Sequence, residues 1–440
     1  MLCRLFGIVW NLCHPLHMPA SALLIRSRPP LLLQGGAEYF PALIAAMDRA
    51  EYWIQLETYI FDFHGAGAQV AQALIRAARR GVTVQVLVDG IGTAELQPEW
   101  QSQFTAAGLH WQVYSPLTRS WPGLSLLWPE QWRRLHRKLC VVDRRQVFCG
   151  GINILDDFYD PHYGQLSAPR LDFAVVLEGP VAEAASEAVA LLWWRVQTGY
   201  SARHHHLGEA WEAFKAAGYG GRVSAAHLAR SRAAALVGRP KQAGRSQSLP
   251  AARAGLLLRD NLRHRNTIER AYRKAIGQAR HDIVIANAYF LPGGRLRRAL
   301  IKAARRGVKV TLLLQGKYEY FMQYHAARPV YGALLEAGVE IHEYAAGFLH
   351  AKVAVVDGRW ATVGSSNLDP LSLLLAREAN MVMDDHSFAQ GLRERLEGAM
   401  QGGRRLQSAQ YSRRPWFERL LDLAAYALMR LALLVTRQRY

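Results

Sequence analysis

The chain has 440 residues, half of them hydrophobic, which is enough for two or three domains with sizeable cores. Its 54 Lys and Arg outnumber 35 Asp and Glu, giving a formal charge of +19 that says little about fold but calls for a negatively charged partner, nucleic acid or an anionic membrane surface. Four cysteines without CxxC spacing exclude a disulfide framework and fit a reducing compartment, and no stretch reaches the roughly 18 apolar residues of a membrane-spanning helix.

The first fifteen residues look superficially like a signal peptide. Asn11 interrupts the apolar run, the basic region is thin and no small-x-small site follows, so residues 1–35 read as a leader, with Met18 as an alternative start. Residues 40–50 predict a helix with Phe40, Leu43, Ile44 and Met47 on one face and Pro41 in its first turn. Residues 52–61 predict an aromatic, β-branched strand. A helix over 69–80, stopped by Gly81, leads to a buried strand over 82–88. A helix over 96–107 ends at Gly108, and a strand follows over 109–114. Cys140 and Cys149 lie in apolar runs and read as small core residues.

Residues 201–254 open on His204, His205 and His206, then turn rich in Ala, Arg, Gly, Ser and Pro, which predicts a largely disordered linker. No second ligand group stands at metal spacing, so the histidines read as solvated. Beyond it the order of elements repeats: helix 266–279, strand 282–290, helix 295–306, strand 308–314, helix 330–337, strand 339–344. The segments ALIRAARRGVTVQVLVDG from Ala73 and ALIKAARRGVKVTLLLQG from Ala299 match closely. A whole domain is duplicated, 36–200 and 255–400, with a basic tail over 401–440. Alternating helices and strands make each copy α/β.

Each copy carries one charged motif with the spacing H-x-K-x4-D-x6-G-x-x-N. The first supplies His136, Lys138, Asp143, Gly150 and Asn153; the second supplies His350, Lys352, Asp357, Gly364 and Asn367. On a strand, residues two apart face one side, so each His shares a face with its Lys. If the motif strands of the halves lie side by side, two histidines and two lysines meet in one pocket without an acidic metal-ligand cluster. Such a pocket suits a phosphate. One imidazole can attack phosphorus while the other moves the proton, and the lysines and amides stabilise the added charge. Asp143 and Asp357 belong to the motif and so to the candidate catalytic set, although a turn carboxylate is the simpler reading.

These paired motifs resemble those of the phospholipase D superfamily. The segments ANAYFLPG, KAARRGV and LHAKVAVVDGRWATVGSSNLDPLSLLLAREAN bring the likeness closest to bacterial cardiolipin synthases of the B type. The resemblance implies two α-β-α sandwich domains, each a mixed sheet with flanking helices, packed about a pseudo-twofold axis with the site between them. It implies transfer of a phosphatidyl group from one phosphatidylglycerol to another through a phosphohistidine, with no cofactor and no metal. His136 is then the nucleophile and His350 the general acid and base. Lys138, Lys352, Asn153, Ser365 and Asn367 bind the phosphate, and Asp172 and Glu378 orient the histidines. The first copy departs from the second in having Gly151 where Ser365 stands.

The expected partner is a membrane rich in phosphatidylglycerol, at the cytoplasmic side of the inner membrane, and not nucleic acid. Residues 415–436 suit an interfacial helix, or equally one packed on the protein, and the Trp-rich stretch around Trp121, Trp128 and Trp132 is a second candidate contact. The rival readings are a phosphodiesterase on the same fold, hydrolysing phospholipid or nucleic acid, a transphosphatidylase with another alcohol, and a basic binding protein that has lost activity.

Overall fold

The computed structural model describes residues 24–93, 95–116, 133–161, 163–203, 252–260, 264–317, 321–374 and 376–435. Residues 1–23 of the expected leader, Trp121, Trp128 and Trp132, and residues 204–251 of the expected 201–254 linker lie outside the described residues; 201–203 continue a helix and 252–254 begin a strand. The first half forms β1 (Ile25–Ser27), β2 (Leu31–Gln34), β3 (Trp53–Thr58), β4 (Thr83–Asp89) and β5 (His110–Tyr114). It continues with β6 (Arg134–Leu135), β7 (Leu139–Val142), β8 (Gln146–Gly150), β9 (Tyr159–Asp160), β10 (Gly164–Gln165) and β11 (Phe173–Glu178). The second half adds β12 (Ala252–Arg259), β13 (Asp282–Asn287), β14 (Lys309–Gln315), β15 (Glu340–Tyr344), β16 (Lys352–Val356), β17 (Trp360–Gly364), β18 (Ala376–Asp384) and β19 (Arg404–Arg405).

One sheet runs β2-β11-β8-β7-β3-β4-β5, and the other contains the run β12-β18-β17-β16-β13-β14-β15. The two orders correspond strand for strand. In both, three parallel strands (β3, β4, β5; β13, β14, β15) continue into an antiparallel set. The fold is thus two like α/β domains with mixed sheets. The chain start is not a separate leader from residue 24 on, because β1 pairs with β12 of the second sheet while β2 joins the first.

Apart from Lys352 at the start of β16, the motif strands are apolar because both of their faces are covered. Cys140 and Val142 of β7 face the outer helices Gly35–Arg49 and Gly65–Arg79, while Leu139 and Val141 face the other half. In β16, Ala354 and Val356 face outward and Val353 and Val355 inward. A single core therefore joins the inner faces of both sheets, with Phe173 and Val175 in one buried cluster with Ala379 and Met381. Each such side chain contributes about 1.5–3 kcal/mol of burial, so the halves do not separate freely.

Several predicted bounds shift. The first helix is Gly35–Arg49, longer at its start than expected, and Pro41 lies inside it. Asp157 explains the start: its carboxylate accepts the Gly36 N–H at 2.5 Å, where a Cβ on either glycine would meet it. The helix expected over 330–337 runs Phe321–Glu336, with Pro329 carried within it. The inner helices Pro180–Arg203 and His386–Gln401 were not anticipated by periodicity.

Candidate active site

Each histidine stands just before its motif strand and is stitched to the opposite half. The His136 N–H donates to Arg377 O (3.0 Å), and the His350 N–H donates to Leu171 O (2.9 Å). Arg377 adjoins Glu378 and Leu171 adjoins Asp172, so the backbone pairing delivers each carboxylate to the other half's histidine. His136 Nδ1 lies 2.9 and 3.1 Å from the Glu378 oxygens, and His350 Nδ1 lies 2.6 Å from Asp172 Oδ2. Asp172 and Glu378 are equivalent by register: each stands two residues before the partner of the motif glycine, Ala174 opposite Gly150 and Asn380 opposite Gly364. With Nδ1–H given to a carboxylate, each Nε2 keeps its lone pair. The sequence names both carboxylates; the crossing is visible only in three dimensions.

Ser365 departs from expectation. Its hydroxyl donates to Glu378 Oε2 (2.5 Å) and accepts the Ala379 N–H (3.0 Å), and the residue is fully buried. It positions the carboxylate, and its hydrogen bonds are used before any phosphate arrives. The matching position in the first half is Gly151 because a Cβ there would stand 2.3 Å from Asp172 Oδ1. The longer Glu takes a serine beside it; the shorter Asp takes a bare backbone.

Lys138 and Lys352 are buried, and each Nζ donates to the carbonyl of its own histidine, Lys138 at 2.9 Å. Burial pushes Lys138 down to about 7, against the pull of Glu378. Burial pushes Asp172 up to about 7, although Lys352 works the other way. Burial also lowers His136, with Glu378 opposing and Lys138 assisting. His350 is driven well below its ordinary value by burial and then by Lys352 and Lys138. Groups of both halves thus act on one another in a single desolvated pocket. A bound phosphodiester would offset the two ammonium groups and so favour protons on both lysines and on one histidine, leaving the other the lone pair that attack needs.

Asn153 Oδ1 accepts the Ile60 N–H (3.2 Å). Asn367 is buried and its Oδ1 has no partner among the described residues. Sequence reading missed Asn287, opposite Lys352 in register: its Oδ1 accepts the Leu368 N–H (3.0 Å), while its buried Nδ2 has no partner among the described residues. Buried donors left unpaired are uncommon, and the Asn287 amide opposite Lys352 suits a ligand with oxygen acceptors. It also missed Asp89 and Gln315, which end equivalent strands. Asp89 Oδ2 holds the Leu135 N–H (2.8 Å) and Gln315 Oε1 holds the Leu349 N–H (3.1 Å), each just before a histidine. The alignment of the two repeats carries that signal, since Asp89 and Gln315 occupy matching positions.

Asp143 and Asp357 do not reach the site. Both sit at the far end of the motif strand, about 16 Å from the lysine at strand rise. Asp143 accepts the N–H groups of Glu51, Tyr52 and Trp53, and Asp357 those of Arg280, His281 and Asp282. Both have positive φ, 49° and 51°, the left-handed conformation that Asp tolerates in turns. Partial burial disfavours the Asp357 carboxylate, but its three backbone donors outweigh that and hold its pKa below the ordinary value. The stability it gives is therefore present above the ordinary carboxylate pKa and is lost as pH falls through the lowered one. Asp357→Ala is expected to cost about 1.5–3 kcal/mol, read as a lower urea midpoint.

Paired histidine–lysine strands at the seam of two like sheets define a duplicated phospholipase D-like protein. A family profile described as "Cardiolipin synthase, PLD-like domain" matches residues 43–160 and 272–400, once in each half, and the chain belongs to that family. It is 36% identical over 409 residues to "Cardiolipin synthase B" of Escherichia coli strain K12, covering 91% of this chain and 87% of that protein. It is 26% identical to "Probable cardiolipin synthase YwiE" of Bacillus subtilis, covering 87% of this chain and 68% of that protein. Among solved structures, phosphatidylserine synthase of Haemophilus influenzae shares the fold at a TM-score of 0.63 and 14% identity, covering 94% of this chain and 96% of that one.

Proposed function

We propose that the protein is a cardiolipin synthase that takes a phosphatidyl group from one phosphatidylglycerol and gives it to another. The crossed His–carboxylate pairs around two buried lysines carry this reading, together with family membership. In the first step His136 Nε2 attacks phosphorus, the bond to glycerol breaks and His350 supplies the proton that glycerol takes away. In the second, the free hydroxyl of the acceptor lipid gives its proton to His350 as its oxygen attacks phosphorus and the P–N bond breaks. Lys138, Lys352, Asn153, Asn367 and Asn287 meet the phosphate oxygens, whose charge grows in each transition state. Asp172 and Glu378 hold the histidine tautomers.

The substrate lies in a bilayer, and helix Trp416–Val435 is suited to reach it. Asp422, Ala425, Tyr426 and Met429 turn inward, and Asp422 accepts from His325 Nδ1 (2.7 Å) and Arg414 Nη1 (2.8 Å). The opposite arc, about 160° wide at helical periodicity, exposes Trp416, Phe417, Leu420, Leu421, Leu423, Leu428 and Leu431. One helix is thus both packed on the protein and open to an apolar surface, with Arg419 and Arg430 at the edge of the arc. No helix among the described residues is long and apolar enough to cross a membrane. We place the protein on the cytoplasmic face of the cell membrane as a peripheral enzyme. The paired change Leu423→Glu and Leu431→Glu is expected to weaken binding to phosphatidylglycerol vesicles by more than about tenfold, measured by flotation.

The test of function is incubation of purified protein with phosphatidylglycerol vesicles and a chelator. Cardiolipin and glycerol in equal amounts are expected. Phosphatidic acid as the sole lipid product, a strict need for divalent metal, or efficient cleavage of single-stranded DNA would each refute the reading.

A further inference from the structure

A small cleft opens beside the second motif. Its inner wall is Ala288–Leu291, directly after Asn287, with Asp369 two residues past Asn367. Gln315, which holds the residue before His350, lies in the same wall. The outer wall includes Met429 of the C-terminal helix, whose other side carries the exposed leucines. The cleft therefore connects the apolar outer helix with the surroundings of His350.

The charge of this cleft has no counterpart in the first half. Repeat alignment sets Lys317 against Ile91 and Gln315 against Asp89. In the first half Asp89 is paired with Arg134 (3.3 Å), so that side is balanced. In the second half the carboxylate is replaced by an amide, and Lys317 is added. Lys317 Nζ stands 5.8 Å from the centre of the Phe348 ring, two residues before His350, with no carboxylate partner among the described residues. The other cation of the lining, Arg328, is neutralised by Glu343 (3.2 Å) and stacked on Tyr324 (4.3 Å). The carboxylate of the lining, Asp369, caps the next helix by accepting the Ser372 N–H (3.1 Å).

We propose that this cleft seats the acceptor phosphatidylglycerol, with Lys317 against the phosphodiester of the acceptor itself. The inference rests on the functional reading above and deepens it. An acceptor lipid brings a second negative charge a few bonds from its attacking hydroxyl, and that charge needs its own cation beside the lysines that hold the first. Seated here, the acceptor presents its hydroxyl to His350, which takes the proton while the new P–O bond forms and the P–N bond to His136 breaks. Water carries no second charge and gains nothing from Lys317.

The experiment follows glycerol, cardiolipin and phosphatidic acid together in phosphatidylglycerol vesicles. Lys317→Gln is expected to lower the ratio of cardiolipin to phosphatidic acid about tenfold, the loss of one charge-assisted contact. Lys317→Arg should restore most of the ratio. If Lys317→Gln lowers all products in proportion, or changes none, the acceptor site is elsewhere. If the unaltered protein makes no cardiolipin from phosphatidylglycerol, the functional reading itself fails, and that outcome is distinct from an unchanged ratio.

Discussion

Replacing either histidine by alanine is expected to reduce cardiolipin formation by at least about 10³-fold, because each supplies a step that the other cannot replace. The two losses differ in kind. A phosphatidyl ester of p-nitrophenol leaves without a proton, so His350→Ala should still give a burst of p-nitrophenol as phosphohistidine forms. His136→Ala should give none. The reverse pattern would transpose the roles of the two residues. The near symmetry of the site makes this experiment necessary, since both histidines have a carboxylate on Nδ1 and a lysine on their own carbonyl.

The second large effect is on pH. Asp172 is pushed up to about 7 by burial, with Lys352 opposing. Below that pH it carries a proton and no longer accepts from His350 Nδ1, so the imidazole loses its set tautomer. Transfer should therefore rise with pH as this carboxylate deprotonates, the deprotonated form being the working one, and fall again as Lys138, held near 7 by burial, loses its proton. Asp172→Asn should flatten this limb and lower the rate about 10²–10³-fold at pH 8. An acid limb that survives the substitution would assign the titration to another group. Glu378→Gln tests the other pair, where Ser365 keeps a hydrogen bond to the replaced side chain.

Much of the site was legible because the chain states it twice. Period-two placement of His and Lys before an apolar run was enough to set both motif strands, and the repeated helix–strand order carried the domain plan. Contacts between the halves were not legible. Ser365 looked like a phosphate donor from its place in the motif, yet its partner is Glu378, 13 residues on and across a strand pair. Asp143 and Asp357 looked chemical by association and serve turns at the wrong end of the strand. Helix Pro180–Arg203 escaped because its apolar residues are not confined to one side: Val189, Leu192 and Trp193 share the buried face, yet Leu191 is exposed on another. Pro329 concealed the first turns of helix Phe321–Glu336 by looking like a break.

The crossed carboxylates also set a timetable for the nascent chain. His136 waits for Glu378, 242 residues later, and His350 looks back 178 residues to Asp172. Contacts of such separation close late, after the local strands and helices of each half. A ribosome that has delivered the whole first half has made a histidine with no carboxylate. Chemistry on phosphate begins only when the strand after the second motif is in place, so truncated or stalled chains should be inert toward the membrane lipids they touch.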